Sequence, residues 1–121
     1  MAEWRNIVCA VDFGEPSREA MREAADLARR SGATLTLVHV QGAAPRMAGE
    51  LFVPTPEAAE RALVEVQRLL GTWRVAAERI AARPLRATVL AGDPARQIVR
   101  FARASGADLV VVGTHGRGAL G

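Results

Sequence analysis

The chain has 121 residues, half of them apolar, which fits a single folded domain and excludes disordered and fibrous classes. The formal charge is only +3, and all sixteen basic residues are arginines interspersed with acidic residues along the predicted helices, a pattern that argues against a nucleic-acid-binding surface. The lack of lysine excludes a Walker A lysine and Schiff-base chemistry.

The cysteine content and the hydropathy pattern indicate the compartment. Cys9 is the single cysteine, so no internal disulfide can form, and it lies in an apolar run typical of a small buried side chain. No stretch approaches the roughly 20 apolar residues of a membrane span, and the N-terminus lacks the apolar region of a signal peptide. We therefore expect a cytoplasmic protein without a membrane contact.

Short apolar segments rich in β-branched residues alternate with helical patterns. The first predicted helix follows Pro16. The second and third begin after Thr55 and Asp93, each an N-cap followed by proline, and the second places apolar residues from Ala59 to Ala77 on one stripe. Residues 42–54 have no period and are predicted to form a surface loop. The predicted strands cover residues 7–11, 35–40, 85–90 and 109–112.

Strand–helix–strand units of this kind connect through right-handed crossovers, so the predicted fold is a Rossmann-like, open parallel α/β sheet with helices on both faces. Such sheets bind ligands beyond the carboxyl ends of the strands, where the strand order reverses. With the common order 3-2-1-4, the first and fourth strands flank this point, and Asp12 and Gly113 face one crevice. Asp12 could accept hydrogen bonds from a ribose or base, could help to hold a divalent cation, or could simply cap the following turn.

A glycine-rich run from Gly113 to Gly118 comes directly after the fourth predicted strand. Its backbone N–H groups could surround a phosphate, or the run could be an ordinary turn. Within it Arg117 is favoured over His115 as a phosphate contact because its charge is permanent. No cysteine or second histidine stands at zinc-ligand spacing from His39, and there is no Gly-x-Ser-x-Gly elbow, so we predict neither a protein-only metal site nor a catalytic triad.

Motifs that span nearly the whole chain resemble those of the universal stress protein family. The resemblance implies a five-stranded parallel sheet of order 3-2-1-4-5 and a homodimer that pairs through the last strand. Since the sequence stops at Gly121, we expect the single domain of residues 1–121 to be truncated at its C-terminus and to lack the fifth strand. The matching segments are Arg5-Asn6-Ile7-Val8-Cys9-Ala10-Val11-Asp12-Phe13 with Pro16-Ser17, Leu35-Thr36-Leu37-Val38-His39-Val40, Gly92-Asp93-Pro94, and the segment from Gly106 to Arg117.

One branch of this family binds ATP through a motif of Gly-x-x-Gly, nine residues, then Gly and Ser or Thr. Gly113 and Gly116 match the first half of the motif, and the second half would fall beyond Gly121. The resemblance implies ATP as the cofactor, with Mg²⁺ or Mn²⁺, held by the ends of the first, second and fourth strands. The implied contacts are Ala10, Val11, Asp12, Val40 and Val112 beside Gly113.

These features predict an ATP-binding universal stress protein, a small regulatory module whose bound nucleotide sets its interactions with a partner protein. The alternative is a nucleotide-free interaction module in which the glycine turn serves only to connect the fourth strand to the next segment of the chain. A related ATP-pyrophosphatase or nucleotidyl-transfer enzyme would carry a Ser-Gly-Gly-type loop after the first strand, where this chain has Asp12-Phe13-Gly14-Glu15-Pro16-Ser17. We therefore predict a binding module rather than an enzyme, with at most slow incidental ATP hydrolysis.

Overall fold

A computed structural model of the chain describes residues 3–42, 46–47, 50–51 and 55–113. Four strands lie side by side in one parallel sheet, in the order Arg86–Ala91, Thr34–Gln41, Asn6–Ala10 and Leu109–Val112, which is 3-2-1-4 when only the strands of this sheet are counted. The predicted α/β fold and strand order are confirmed. The elements are β1 (Asn6–Ala10), α1 (Glu15–Ser31), β2 (Thr34–Gln41), β3 (Arg46–Met47), β4 (Glu50–Leu51), α2 (Pro56–Ala81), β5 (Arg86–Ala91), α3 (Pro94–Ser105) and β6 (Leu109–Val112).

The segment between β2 and α2 is less irregular than the sequence predicted. Within it β3 and β4, of two residues each, pair in an antiparallel arrangement. Strands this short are below the length at which alternation of apolar and polar residues becomes readable, so the pattern could not reveal them. The neighbouring residues 43–45, 48–49 and 52–54 lie outside the described residues.

The predicted starts of α2 and α3 are confirmed by their caps. The Thr55 hydroxyl accepts a hydrogen bond from the N–H of Ala58, and the Asp93 carboxylate accepts one from the N–H of Arg96. In both helices proline occupies the first turn, where its missing N–H is not needed. Helix α1 begins after Gly14, which offers no side-chain cap.

The main core lies between the sheet and the layer formed by α1 and α2. Alternate residues of β1 and β2, such as Ile7 and Leu37, point into it and meet an alanine-rich face of α1 that permits close packing. Cys9 is fully buried there, and burial raises the pKa of its thiol to about 12, so it stays protonated and acts as a small apolar side chain, as predicted. Helix α3 covers the opposite face of the sheet, against β2 and β5.

The apolar stripe of α2 is buried over only part of the predicted length. Trp73 and Ala77 are buried, whereas Ala59 and Leu63 are exposed. A helix of 26 residues is about 39 Å long. A strand of six residues spans about 20 Å, so the first turns of α2 extend past the sheet. Among the helices in the described ranges, none has the length and hydrophobicity needed to cross a membrane.

Asp108 joins the amino ends of the central strand β1 and its neighbour β6. Its carboxylate accepts hydrogen bonds from the backbone N–H groups of Arg5, at 3.0 Å, and Asn6, at 3.1 Å. These two backbone donors are the main cause of the lowered pKa of Asp108, because they stabilise its charged form.

We expect Asp108→Asn to lower the melting temperature at pH 7, because a neutral amide has one oxygen with which to replace two charge-assisted hydrogen bonds. A carboxylate whose pKa is lowered on folding stabilises the protein above its unfolded-state pKa of about 3.9 and loses that contribution as the pH falls through the folded-state value. The difference between wild type and variant should therefore shrink below about pH 4, as measured by thermal unfolding across pH.

Asp26→Asn is the control, because its carboxylate pairs with arginine side chains on the surface of α1 and such pairs contribute little. An Asp108→Asn effect that is the same at pH 7 and pH 3 would contradict the role of the charged carboxylate.

Candidate functional site

The carboxyl ends of β1, β2 and β6 meet the first turns of α1 and α3 around a pocket of about 260 Å³. Six residues proposed from the sequence lie in its wall: Ala10, Val11, Asp12, Val40, Val112 and Gly113. The other two, Gly116 and Arg117, lie outside the described residues. Four further wall residues were not among the predicted contacts: Ser17, His39, Pro94 and Ile98.

Four larger grooves lie elsewhere on the described surface. One of 660 Å³ between α1 and β6 and one of 800 Å³ on α3 alone do not reach the ends of β1 and β2. The other two lie along β5. One of 640 Å³ runs between α2 and β5, and one of 830 Å³ lies near the amino ends of β2 and β5. Both are on the β5 side of the sheet, away from the point between β1 and β6 where the strand order reverses. Open parallel sheets bind ligands at that reversal point. The smaller pocket is therefore the candidate site.

Asp12 closes the turn that leads from β1 into α1. Its Oδ1 accepts a hydrogen bond from the N–H of Gly14 at 2.9 Å, so the capping alternative is present in the structure. Its own N–H donates to the buried hydroxyl of Ser17 at 2.8 Å. Asp12 therefore has a role in the turn, and it also lies in the wall of the pocket.

Gly113 lies against the first turn of α1. A Cβ at this position would be 2.4 Å from the carbonyl carbon of Pro16 and 2.6 Å from the backbone nitrogen of Ser17. Packing alone therefore requires glycine here. The same contact puts the end of β6 beside the positive end of the α1 dipole, which favours an anion.

The part of the pocket wall that lies on the α3 side of the sheet is apolar. Val40 and Val112 come from two different strands, and Pro94 and Ile98 come from successive turns of α3. Pro94 belongs to the matching segment Gly92-Asp93-Pro94, but neither Pro94 nor Ile98 is among the contacts predicted from the sequence. Their spacing of four places them on one helix face.

The sequence predicts only that His39 does not belong to a zinc site. In the structure its Nδ1 lies 2.8 Å from the carbonyl oxygen of Val11, and its ring stacks on Phe13. No group of three or more His, Cys, Asp or Glu side chains in the described ranges could hold a metal ion. A divalent cation at Asp12 would therefore need phosphate oxygens and water to complete its coordination.

The family model described as "Universal stress protein family" matches residues 3–121. The chain belongs to this family. A universal stress protein of Thermus aquaticus is 33% identical over 123 residues, covering 98% of this chain and 82% of its own length. The universal stress protein UspA of Lactobacillus plantarum has the same fold, with a TM-score of 0.77 and 22% identity over 98% of this chain and 84% of that one.

Two further structures of this fold contain adenine nucleotides. One is a universal stress protein in complex with cAMP, with a TM-score of 0.63 and 20% identity over 90% of this chain and 71% of that one. The other is the Archaeoglobus fulgidus protein in complex with dAMP, with a TM-score of 0.67 and 22% identity over 92% of this chain and 82% of that one. Some universal stress proteins of this fold therefore bind adenine nucleotides.

We expect Gly113→Ala to reduce the free energy of unfolding by about 1–3 kcal/mol, because the added methyl group overlaps the backbone of α1. Urea unfolding of the ligand-free protein measures the effect. Gly42→Ala is the matched control: Gly42 follows β2 at the same edge of the sheet, has no atom within 4 Å of an added Cβ, and should change stability by less than about 0.5 kcal/mol. Equal midpoints for the two variants would show that packing does not require glycine at position 113.

Proposed function

We propose that this universal stress protein binds ATP in the pocket at the carboxyl ends of β1, β2 and β6. The observation that carries the proposal is that the ends of three strands bring six of the proposed contact residues into the wall of one cavity beside the α1 N-terminus. The cAMP and dAMP complexes of proteins with this fold support an adenine nucleotide as the ligand class.

The dimensions and chemistry of the pocket fit a base and a sugar. Its volume of 260 Å³ is just below the roughly 300–1,000 Å³ of sites for drug-sized ligands. Val40, Ile98 and Val112 offer apolar surface to a base, and Asp12 offers carboxylate oxygens to ribose hydroxyls. The phosphates would extend past Gly113, over the first turn of α1. Gly116 and Arg117, which follow Gly113 in the sequence, are the further proposed contacts.

Binding, rather than catalysis, is the proposed role. The chain has no lysine, and the connection after β1 lacks the Ser-Gly-Gly-type loop of the related ATP-dependent enzymes. Both features favour a binding module. We infer that bound ATP, with Mg²⁺ or Mn²⁺, sets the partner interactions of a cytoplasmic regulatory module in the stress response, and that the complete protein is a homodimer.

A nucleotide-free interaction module is the second candidate, and two observations favour it. Gly113 is required by packing and Asp12 closes a turn, so both residues have structural roles without any ligand.

One experiment separates the two candidates. The protein is purified, denatured and searched for released nucleotide by mass spectrometry, and the ligand-free protein is titrated calorimetrically with Mg·ATP, with AMP, and with Mg·GTP as the control for base recognition. We expect an adenine nucleotide to be carried through purification or to bind with 1:1 stoichiometry. No carry-over and no heat of binding would overturn the ATP proposal and leave the interaction module as the remaining candidate.

Asp12→Asn distinguishes a ligand contact from a turn residue, because the amide oxygen of asparagine can still accept the hydrogen bond from Gly14. We expect unchanged thermal stability and about a tenfold or greater loss of ATP affinity, since hydrogen bonds to a charged group are worth about 1.5–3 kcal/mol. Glu15→Gln, which removes an exposed neighbouring charge outside the pocket wall, should bind ATP normally. Normal ATP affinity in Asp12→Asn would assign Asp12 to the turn alone.

A further inference from the structure

The connection between β1 and α1, residues 11–14, carries an unusual backbone conformation. Phe13 has φ of +69°, in the left-handed region that favours glycine, although it bears a bulky side chain. A non-glycine residue keeps this conformation only where its surroundings enforce it, and such residues concentrate at ligand clamps and switch regions. Val11 and Asp12, which precede Phe13, line the candidate pocket.

Aromatic contacts enforce the conformation of Phe13. Its ring stacks on that of His39, with centroids 4.6 Å apart and planes at 29°, and meets Trp73 edge-on at 5.4 Å. The guanidinium of Arg18 lies 4.6 Å above the Trp73 ring and covers it from outside. Strand β2 and helix α2 therefore both hold Phe13.

His39 also fixes the backbone of the same connection. A carbonyl oxygen can only accept a hydrogen bond, so His39 Nδ1, 2.8 Å from the oxygen of Val11, must carry a proton. The backbone N–H of Val11 donates a hydrogen bond to the carbonyl oxygen of Val38, at 2.8 Å. Both peptide groups of Val11 are thus held by β2, one by its backbone and one by the His39 side chain.

We propose that His39 is a positioning residue for the pocket. Its Nδ1–H orients the Val11 carbonyl and its ring face holds Phe13 in the left-handed region, so residues 11–14 are presented to the ligand in one conformation. The identity of the ligand as an adenine nucleotide rests on the proposed function. The role of His39 in orienting residues 11–14 does not depend on it.

Two substitutions separate the two contacts of His39. His39→Phe keeps an aromatic face for Phe13 and removes the donor to Val11, whereas His39→Asn keeps a donor near the Nδ1 position and removes the ring. We expect His39→Phe to weaken AMP binding about tenfold, the effect of roughly one hydrogen bond, and His39→Asn to recover part of that loss.

Val89→Ala is the matched control. Val89 is the register partner of His39 on β5, is likewise half-buried, and lies outside the wall of the pocket. It should lower the melting temperature without changing AMP affinity. AMP affinity that falls equally in His39→Phe and Val89→Ala, or in neither, would overturn the positioning role.

The tautomer of His39 gives a readout that needs no ligand. Imidazole ¹⁵N and ¹³C chemical shifts, followed through a pH titration, should show the neutral ring protonated at Nδ1. A neutral ring protonated at Nε2 would overturn the proposal.

If the wild-type protein binds no nucleotide, the proposed function fails, and amide hydrogen exchange decides the role of His39. Faster exchange at Asp12 and Gly14 in His39→Phe than in Val89→Ala supports it, and equal exchange overturns it.

Discussion

The parallel pairing of β1 with neighbours on both sides is the constraint on which the rest of the structure depends. Because β1 pairs with β2 on one side and with β6 on the other, its residues Ile7, Val8 and Cys9 are fully buried. The strand order reverses between β1 and β6, which opens a crevice at the carboxyl end of β1. Asp108 holds the amino ends of β1 and β6 together, and the contact of Gly113 with α1 holds the carboxyl end of β6. The candidate pocket lies at the carboxyl ends of β1, β2 and β6, beside the connection that leaves β1.

The sequence predicted those parts of the fold that depend on local chemistry. Continuous β-branched runs identified the strands of the main sheet, and the Thr55 and Asp93 caps identified two helix starts to the residue. The sequence could not predict features that depend on how long one element is relative to the element that it packs against. The exposed first turns of α2 show periodicity as regular as its buried turns, and only the extent of the sheet decides which are covered.

The candidate site divides in the same way. Ligand sites in open parallel sheets lie at the carboxyl ends of the strands, and this rule, which depends on topology alone, predicts that Asp12 and Gly113 lie close together. The contributions of Ser17 and His39 were missed because they act through contacts to backbone atoms of residues 11 and 12, and a sequence pattern does not show where a backbone carbonyl or N–H points. Residue identity at Asp12 and Gly113 was informative but ambiguous, since the turn and the close packing require the same residue types as a nucleotide would.

A regulatory module needs a bound ligand to alter a surface elsewhere, and a ligand shifts a conformational equilibrium only through contacts that differ between two states. The connection of residues 11–14 links the pocket to the other face of the sheet, because its backbone lines the pocket on the α3 side while the Phe13 ring packs against Trp73 of α2. A strained residue clamped between two elements has few intermediate positions. Phe13 therefore joins the pocket to Trp73 and Arg18 at the surface between α1 and α2.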